Sequence, residues 1–283
     1  MAERVSDALK GWLRDAPRLA LLVALAAAFL LPYAWMLAVS VKPKSEVFSA
    51  ALSLWPETWH AAENYGLVLR EVPVLRYLWN GVVVCALILA FQLAFALPAG
   101  YALAKLRFRG SRTLFAFVML GLLVPAHVPA IALYIAFANA KLLNTYTALV
   151  APFTISVFAI FLFRQFFKAL PDDLINAARI DGMSEASIVW RVAVPNAWPA
   201  ATAFAIFSVV AHWSDLFWPL IVVTKGDLYT PALGVLRFHS QEAGDDYGAL
   251  MAAATLTMAP LVAAFLFAQR RFIEGITMTG IKG

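Results

Sequence analysis

Apolar residues fill this chain in long runs, and charge returns only between them. Stretches free of Asp, Glu, Lys and Arg cover residues 19–41, 77–104, 113–140, 142–163, 192–214 and 247–269. Each exceeds the roughly 20 residues that a helix needs to cross a bilayer. The pattern predicts an all-α polytopic membrane protein with six transmembrane helices. Pro125 and Pro129 fall inside the third run and should bend it, because each removes a backbone donor. A polar interval lies at 164–195, RQFFKALPDDLINAARIDGMSEASIVWRVAVP. It carries helix signals on both sides of a glycine. Pro171, Asp172 and Asp173 suit a first turn, where a proline misses no bond and carboxylates meet the positive helix end. Asp181-Gly182 ends that helix, and Ser184 is placed to cap a second short one that stops before Pro195.

Composition and charge sharpen this picture. Of 283 residues, 63% are hydrophobic and 14% charged, against about 25% charged in soluble domains. With the N-terminus inside, 15 of the 22 Lys and Arg fall on inner segments. That bias places both termini and the 164–195 loop in the cytoplasm. The basic balance therefore reflects topology, and no basic run with interleaved aromatics points to nucleic acid. Trp55, Trp59, Tyr65 and Tyr77 suit the water–lipid boundary of an outer segment. The lone Cys85, inside the second run, reads as a packing residue.

Within the loop, Asn176-Ala177-Ala178, then Gly182, then Pro195 resembles the EAA loop of ABC importer permeases in type and spacing. Asn176 stands where that pattern has glutamate, Val192 where it has isoleucine, and Val194 where it has leucine. Asn80, the Tyr101-Ala102-Leu103-Ala104 run, Leu143-Asn144-Thr145 and Phe163-Arg164-Gln165-Phe166-Phe167 are similar to the carbohydrate-uptake branch of these permeases. So is Trp213-Ser214-Asp215-Leu216-Phe217-Trp218-Pro219-Leu220, with Ser214 in place of the usual asparagine. The ending Gln269-Arg270-Arg271-Phe272, Gly275, Gly280, Lys282-Gly283 is similar to that of maltose-type subunits, and the likeness extends to glycerol-3-phosphate-type permeases.

The resemblance implies an inner-membrane permease subunit that moves a sugar, a polyol or their phosphate by alternating access. It implies a cytoplasmic coupling-helix loop that docks on a separate ATPase through Asn176, Ala177, Ala178, Arg179, Asp181, Gly182, Met183 and Pro195. Gly280 and Lys282 of the tail would reach the same ATPase; the alternative is a disordered terminus. The implied partners are a second homologous permease, an ATPase dimer, an extracytoplasmic solute-binding protein and the lipid bilayer. ATP and Mg would sit on the ATPase, and no cofactor on this chain. The implied divisions are a tail at 1–18, a permease domain at 19–269 and a tail at 270–283.

Polar residues inside apolar runs are the candidates for a pathway, since a lone polar group in lipid is costly. Asn80, Gln92, His127, Asn139, His212, Ser214 and Asp215 qualify, and Trp213 and Trp218 join Asp215 as aromatic faces suited to a sugar ring; helix–helix packing is the alternative for each. Two other classes compete. An intramembrane enzyme would need a constellation that the four histidines and the serines do not form: there is no HExxH and no GxSxG. An ion-coupled secondary transporter of a small polar solute could use His212 and Asp215, which lie i, i+3 and so can pair. That class usually shows broken helices in paired halves, which the run pattern does not suggest. The chain has no GxxxxGK[ST] loop, so any ATP hydrolysis must come from another subunit.

Overall fold

The computed structural model describes residues 2–47, 53–125, 127–236 and 246–280, the side chains of 2–15 and 268–280 excepted. Among the described residues the chain is helical throughout, with no strand. Its contacts divide into two units, 1–72 with 235–256, and 73–234 with 257–283.

The first unit holds α1 (Ala2–Ser40), α2 (Lys44–Val47), α3 (Ala61–Glu71) and the first part of α15 (Tyr247–Gly280). Helix α1 passes without interruption from the expected N-terminal tail into the first span. Its side chains from Leu19 to Leu31 stay outside the chain's own core, as a lipid- or partner-facing span requires. Where α1 ends, Asn64 of α3 donates to the carbonyls of Ser40 and Lys42, each at 2.9 Å. The Glu46 carboxylate accepts from the Glu57 and Thr58 amides. Two polar clamps thus fix the ends of α1 and α2 against residues 57–64. Trp55 and Trp59 pack edge to face and are 72% and 58% exposed, as expected of boundary residues.

The second unit is built on α4 (Val74–Lys105), which runs straight through Pro98. The third apolar run is two helices, α5 (Ser111–Leu123) and α6 (Ala130–Asn139), with Pro125 and residues 127–129 outside both helices. The expected bend is a full break, because two prolines four residues apart remove two rungs of one hydrogen-bond ladder. The fourth run is also interrupted: α7 (Tyr146–Val150) and a 3₁₀ turn over Ala151–Phe153 meet α8 (Val157–Ala169) at 42°. Thr145 and Ser156 cap α7 and α8 through their hydroxyls.

The polar loop follows as α9 (Asp172–Ile180) and α10 (Glu185–Ile188), and then α11 (Val194–Asn196) after a π turn over Val189–Ala193. The expected stop before Pro195 does not occur. A π turn ends where α11 begins, so Pro195 sits in a first turn where its missing donor costs nothing. Helix α12 (Trp198–Trp213) lies in the fifth run, and α13 (Phe217–Val222) follows beyond the run's end, separated from it at Ser214–Leu216. Helix α14 (Pro231–Val235) precedes α15, which carries the last span on through the expected tail to Gly280. The interruptions in the third to fifth runs correct the unbroken spans that the sequence suggested. Helix breaks therefore give no ground for rejecting an ion-coupled carrier.

Candidate functional site

Two sites emerge within the second unit: the docking loop, and a cleft beside the broken spans. In the loop, α9 stops in a Schellman arrangement. The Met183 amide donates to Ala178 O at 3.0 Å and the Gly182 amide to Arg179 O at 3.0 Å, with Gly182 at φ +80°. The Ser184 hydroxyl then accepts from the Ser187 amide and starts α10, as its position predicted. The stretch from Glu185 to Asn196 meets α12 at 77°, so the loop lies steeply across the span that follows it.

Helix α9 has two faces. Ile175 and Ala178 are buried in the chain's own core with Ile188, Tyr101, Phe163 and Phe167. Fully burying Ile175 and Ile188 contributes about 1.5–3 kcal/mol each. Leu174, Ala177, Arg179, Ile180 and Asp181 point outward, and Ile180 is 86% exposed. An exposed isoleucine beside an exposed leucine and alanine is a face without a partner among the described residues. The predicted docking set therefore splits. Asn176, Ala177, Arg179, Asp181, Gly182 and Pro195 are exposed, Met183 is half-buried, and Ala178 packs inward. A Cβ at Gly182 would meet nothing within 4 Å, so within this chain the glycine serves its backbone conformation.

Polar bonds tie the loop to α4. The Tyr101 hydroxyl donates to Glu185 at 2.8 Å, and Glu185 also pairs with Arg179 at 2.7 Å. The Arg179 hydrogen bond holds the Glu185 carboxyl below its usual range, against the opposing effect of partial burial. Lys105, at the end of α4, bonds Leu170 O and the Asp172 carboxylate at 2.7 and 2.5 Å. That ammonium holds the Asp172 carboxyl below the usual carboxylate range. Next to these, Gly100 lets α4 touch the backbone of α8: a Cβ there would lie 2.9 Å from the Arg164 nitrogen. Arg164 stacks 3.6 Å over Phe115 and donates to Leu103 O. Helices α4, α8 and the loop form one packed body that moves as a piece or not at all.

The cleft has a volume of about 570 Å³ and is walled by Pro125, His127 and Pro129 between α5 and α6, by residues of the break before α8, and by Asp215 with the start of α13. His127, His212, Asp215, Phe217 and Trp218 line it together with Gln92. Asp215 Oδ1 accepts from the Phe217 and Trp218 amides at 3.0 and 3.3 Å, which starts α13. His212 instead faces Gln92 at 3.3 Å, so these bonds replace the i, i+3 pairing considered for His212 and Asp215. Gln92 also donates to Phe153 O at 2.9 Å and accepts from Ser208 at 2.6 Å, joining three elements behind the cleft. The His127 ring meets Phe217 edge-on at 4.5 Å.

Of the pathway candidates, the structure brings His127, Asp215 and Trp218 to the cleft. Trp218 is mostly buried, its ring nitrogen bonded to Ala148 O. Trp213 is buried against Thr257 O at 3.0 Å, and Ser214 is exposed. Asn80 is 1% exposed and fully engaged: it donates to Asp227 O and Tyr229 O and accepts from Tyr146. Its place is a lock on the segment after α13. Gln92 and His212, polar positions inside apolar runs, also reach the cleft; the breaks that open it carry no local sequence signal except Pro125, Pro129 and Pro152. In the tail, Gly280 ends α15, and Lys282 lies outside the described residues.

Comparison with known proteins adds a frame to this geometry. Residues 96–277 match the family described as "Binding-protein-dependent transport system inner membrane component". The arabinooligosaccharides transport system permease protein AraQ of Halalkalibacterium halodurans is 32% identical over 251 residues, covering 88% of this chain and 89% of that protein. The diacetylchitobiose uptake system permease protein NgcG of Streptomyces coelicolor is 30% identical, covering 91% and 86%. The sn-glycerol-3-phosphate transport system permease protein UgpE of Escherichia coli O1:K1 / APEC is 31% identical, covering 82% and 85%. Among solved structures, a chain of a bacterial ABC transporter involved in the import of the acidic polysaccharide alginate superposes with a TM-score of 0.79. It is 20% identical and covers 94% of this chain and 98% of its own length.

Proposed function

This chain belongs to the family of binding-protein-dependent transport system inner membrane components, and on that premise we propose that it couples ATP hydrolysis by a separate ATPase dimer to solute entry. Its cargo is a sugar, a polyol or a sugar or glycerol phosphate. It works with a second homologous permease and an extracytoplasmic solute-binding protein in the inner membrane, with both termini cytoplasmic. It is not itself an enzyme. ATP and Mg belong to the ATPase chains, and this chain binds no cofactor.

The observation that carries this reading is the two-faced α9. Its inner face is fused to α4 and α8, while Ala177, Ile180 and their neighbours are left bare. Seated in a groove of the ATPase, that outer face turns motor motion into displacement of α4 and α8. Asn176, Arg179, Asp181, Gly182, Met183 and Pro195 border the contact, and Ala178 holds α9 to the chain behind it. The tail from 270, with Gly280 and Lys282, approaches the same partner, and the permease domain spans 19–269 between the two ends. The solute path runs through the cleft beside His127, Asp215 and Trp218, with Asn80, Trp213 and Ser214 supporting its walls.

Co-purification tests this. A tagged chain from native membranes should retain an ATPase subunit, and Ile180→Glu should lose it while the chain remains in the membrane. Full retention by Ile180→Glu would remove the docking face from consideration. The ion-coupled reading instead expects no ATPase in either preparation.

A further inference from the structure

The cleft invites a sharper question than where solute passes: what charge it tolerates. Its described lining holds one carboxylate, Asp215, two imidazoles, His127 and His212, and no Lys or Arg. Asp215 lines the cleft and spends Oδ1 on two backbone amides, so its position is held by α13. The imidazoles carry charge only when protonated. A phosphate or uronate entering here would face a fixed anion with no cation to pair with. Besides Gln92 and Ser156, the rest of the wall is apolar, with Phe153, Phe217 and Trp218 supplying flat aromatic surface.

We propose that this cleft passes uncharged saccharides or polyols and works against anionic ones, with Asp215 as the group that sets the sign. The inference rests on the cleft being the solute path. It narrows the cargo from the wider class of sugars and their phosphates to the neutral members. Asp215 acts as a specificity residue, and Phe217 and Trp218 give a sugar ring its apolar contact.

The test reads the cleft's charge directly, using thiol reagents as probes. Cys85 is replaced by Ser, and a single thiol is introduced by Phe217→Cys or, separately, Val124→Cys, both partly exposed and lining the cleft. The complete importer in proteoliposomes is treated at pH 8, where ordinary imidazoles are neutral, with a trimethylammonium and a sulfonate methanethiosulfonate. Rates are normalised to a free thiol. One fixed charge a few ångströms away should favour the cationic reagent by about threefold to tenfold, and adding Asp215→Asn should bring the ratio close to one. A sulfonate reagent that reacts as fast as the cationic one, or a ratio untouched by Asp215→Asn, overturns the proposal and leaves the path reading standing. If neither reagent labels either thiol while a Trp55→Cys control reacts, the cleft is closed to solutes, and the path reading falls together with the proposal. A transport arm adds a second readout: uptake of arabinotriose but not of glycerol 3-phosphate is the expected outcome, and the reverse overturns it.

Discussion

Gly182 separates backbone need from docking need, because the two make different demands on the same position. It sits at φ +80°, a conformation that costs a residue with a Cβ about 1–2 kcal/mol. Within the chain, a Cβ there meets nothing within 4 Å. Strain alone therefore ranks Gly182→Ala and Gly182→Trp as equals, each lowering the population of the formed turn by about 5- to 30-fold. Gly182→Asn should cost less, since asparagine tolerates the left-handed region. Docking adds a second demand, clearance for a partner, and only tryptophan violates it. The assay compares three quantities in membranes: chain level, retained ATPase, and ATP-driven uptake. The expected order is Asn near wild type, Ala moderately reduced, and Trp present in the membrane with ATPase retention and uptake lost. Equal behaviour of Ala and Trp would show that the glycine serves the turn only, and the docking account of this position would fail.

Three further outcomes follow from named contacts. Tyr101→Phe removes the 2.8 Å bond to Glu185 and should weaken the loop's attachment by about 1.5–3 kcal/mol, the usual worth of a bond to a charged group; faster hydrogen exchange over 172–196 with unchanged exchange in α4 would check it. The Asp172 and Glu185 carboxyls both titrate below their ordinary values in the folded loop, through Lys105 and Arg179 respectively. Their contribution is therefore fully present above the ordinary carboxylate pKa and is lost as pH falls through the lower folded value. Loop protection should be flat at neutral pH and drop on the acid side, and Lys105→Met should remove the Asp172 share; protection that grows on acidification would contradict the assignment. Gln92→Leu orphans the Phe153 carbonyl and the Ser208 hydroxyl, at about 1–3 kcal/mol for each group left unpaired, which should appear as a lower melting temperature in detergent.

Much of the fold was legible because bilayer crossing imposes a length rule that apolar runs either meet or do not. The caps were legible too: Ser184 and the turn at Gly182 act through neighbours within a few residues, so local chemistry specifies them. Pro125 and Pro129 announced a disturbance in the third run, though its depth depended on both acting together. Other features carried no such mark. The break at Ser214–Leu216 exists because Asp215 finds amides of the next helix, and nothing in a run of apolar residues shows that in advance. The π turn that admits Pro195 is a register shift without a residue signature. The pairing of Tyr101 with Glu185 joins positions 84 residues apart. Asn80 was a fair pathway candidate by polarity, yet its bonds to Asp227, Tyr229 and Tyr146 make it a fastening. One chain's pattern also cannot divide α9 into an inner and an outer face without knowing which side α4 and α8 occupy.

Energy source is the most direct test of the account. Sealed vesicles holding this chain with its partner permease, binding protein and ATPase should accumulate solute only when ATP is supplied to the ATPase side. Accumulation by this chain alone, driven by an ion gradient with no ATPase in the membrane, would contradict it.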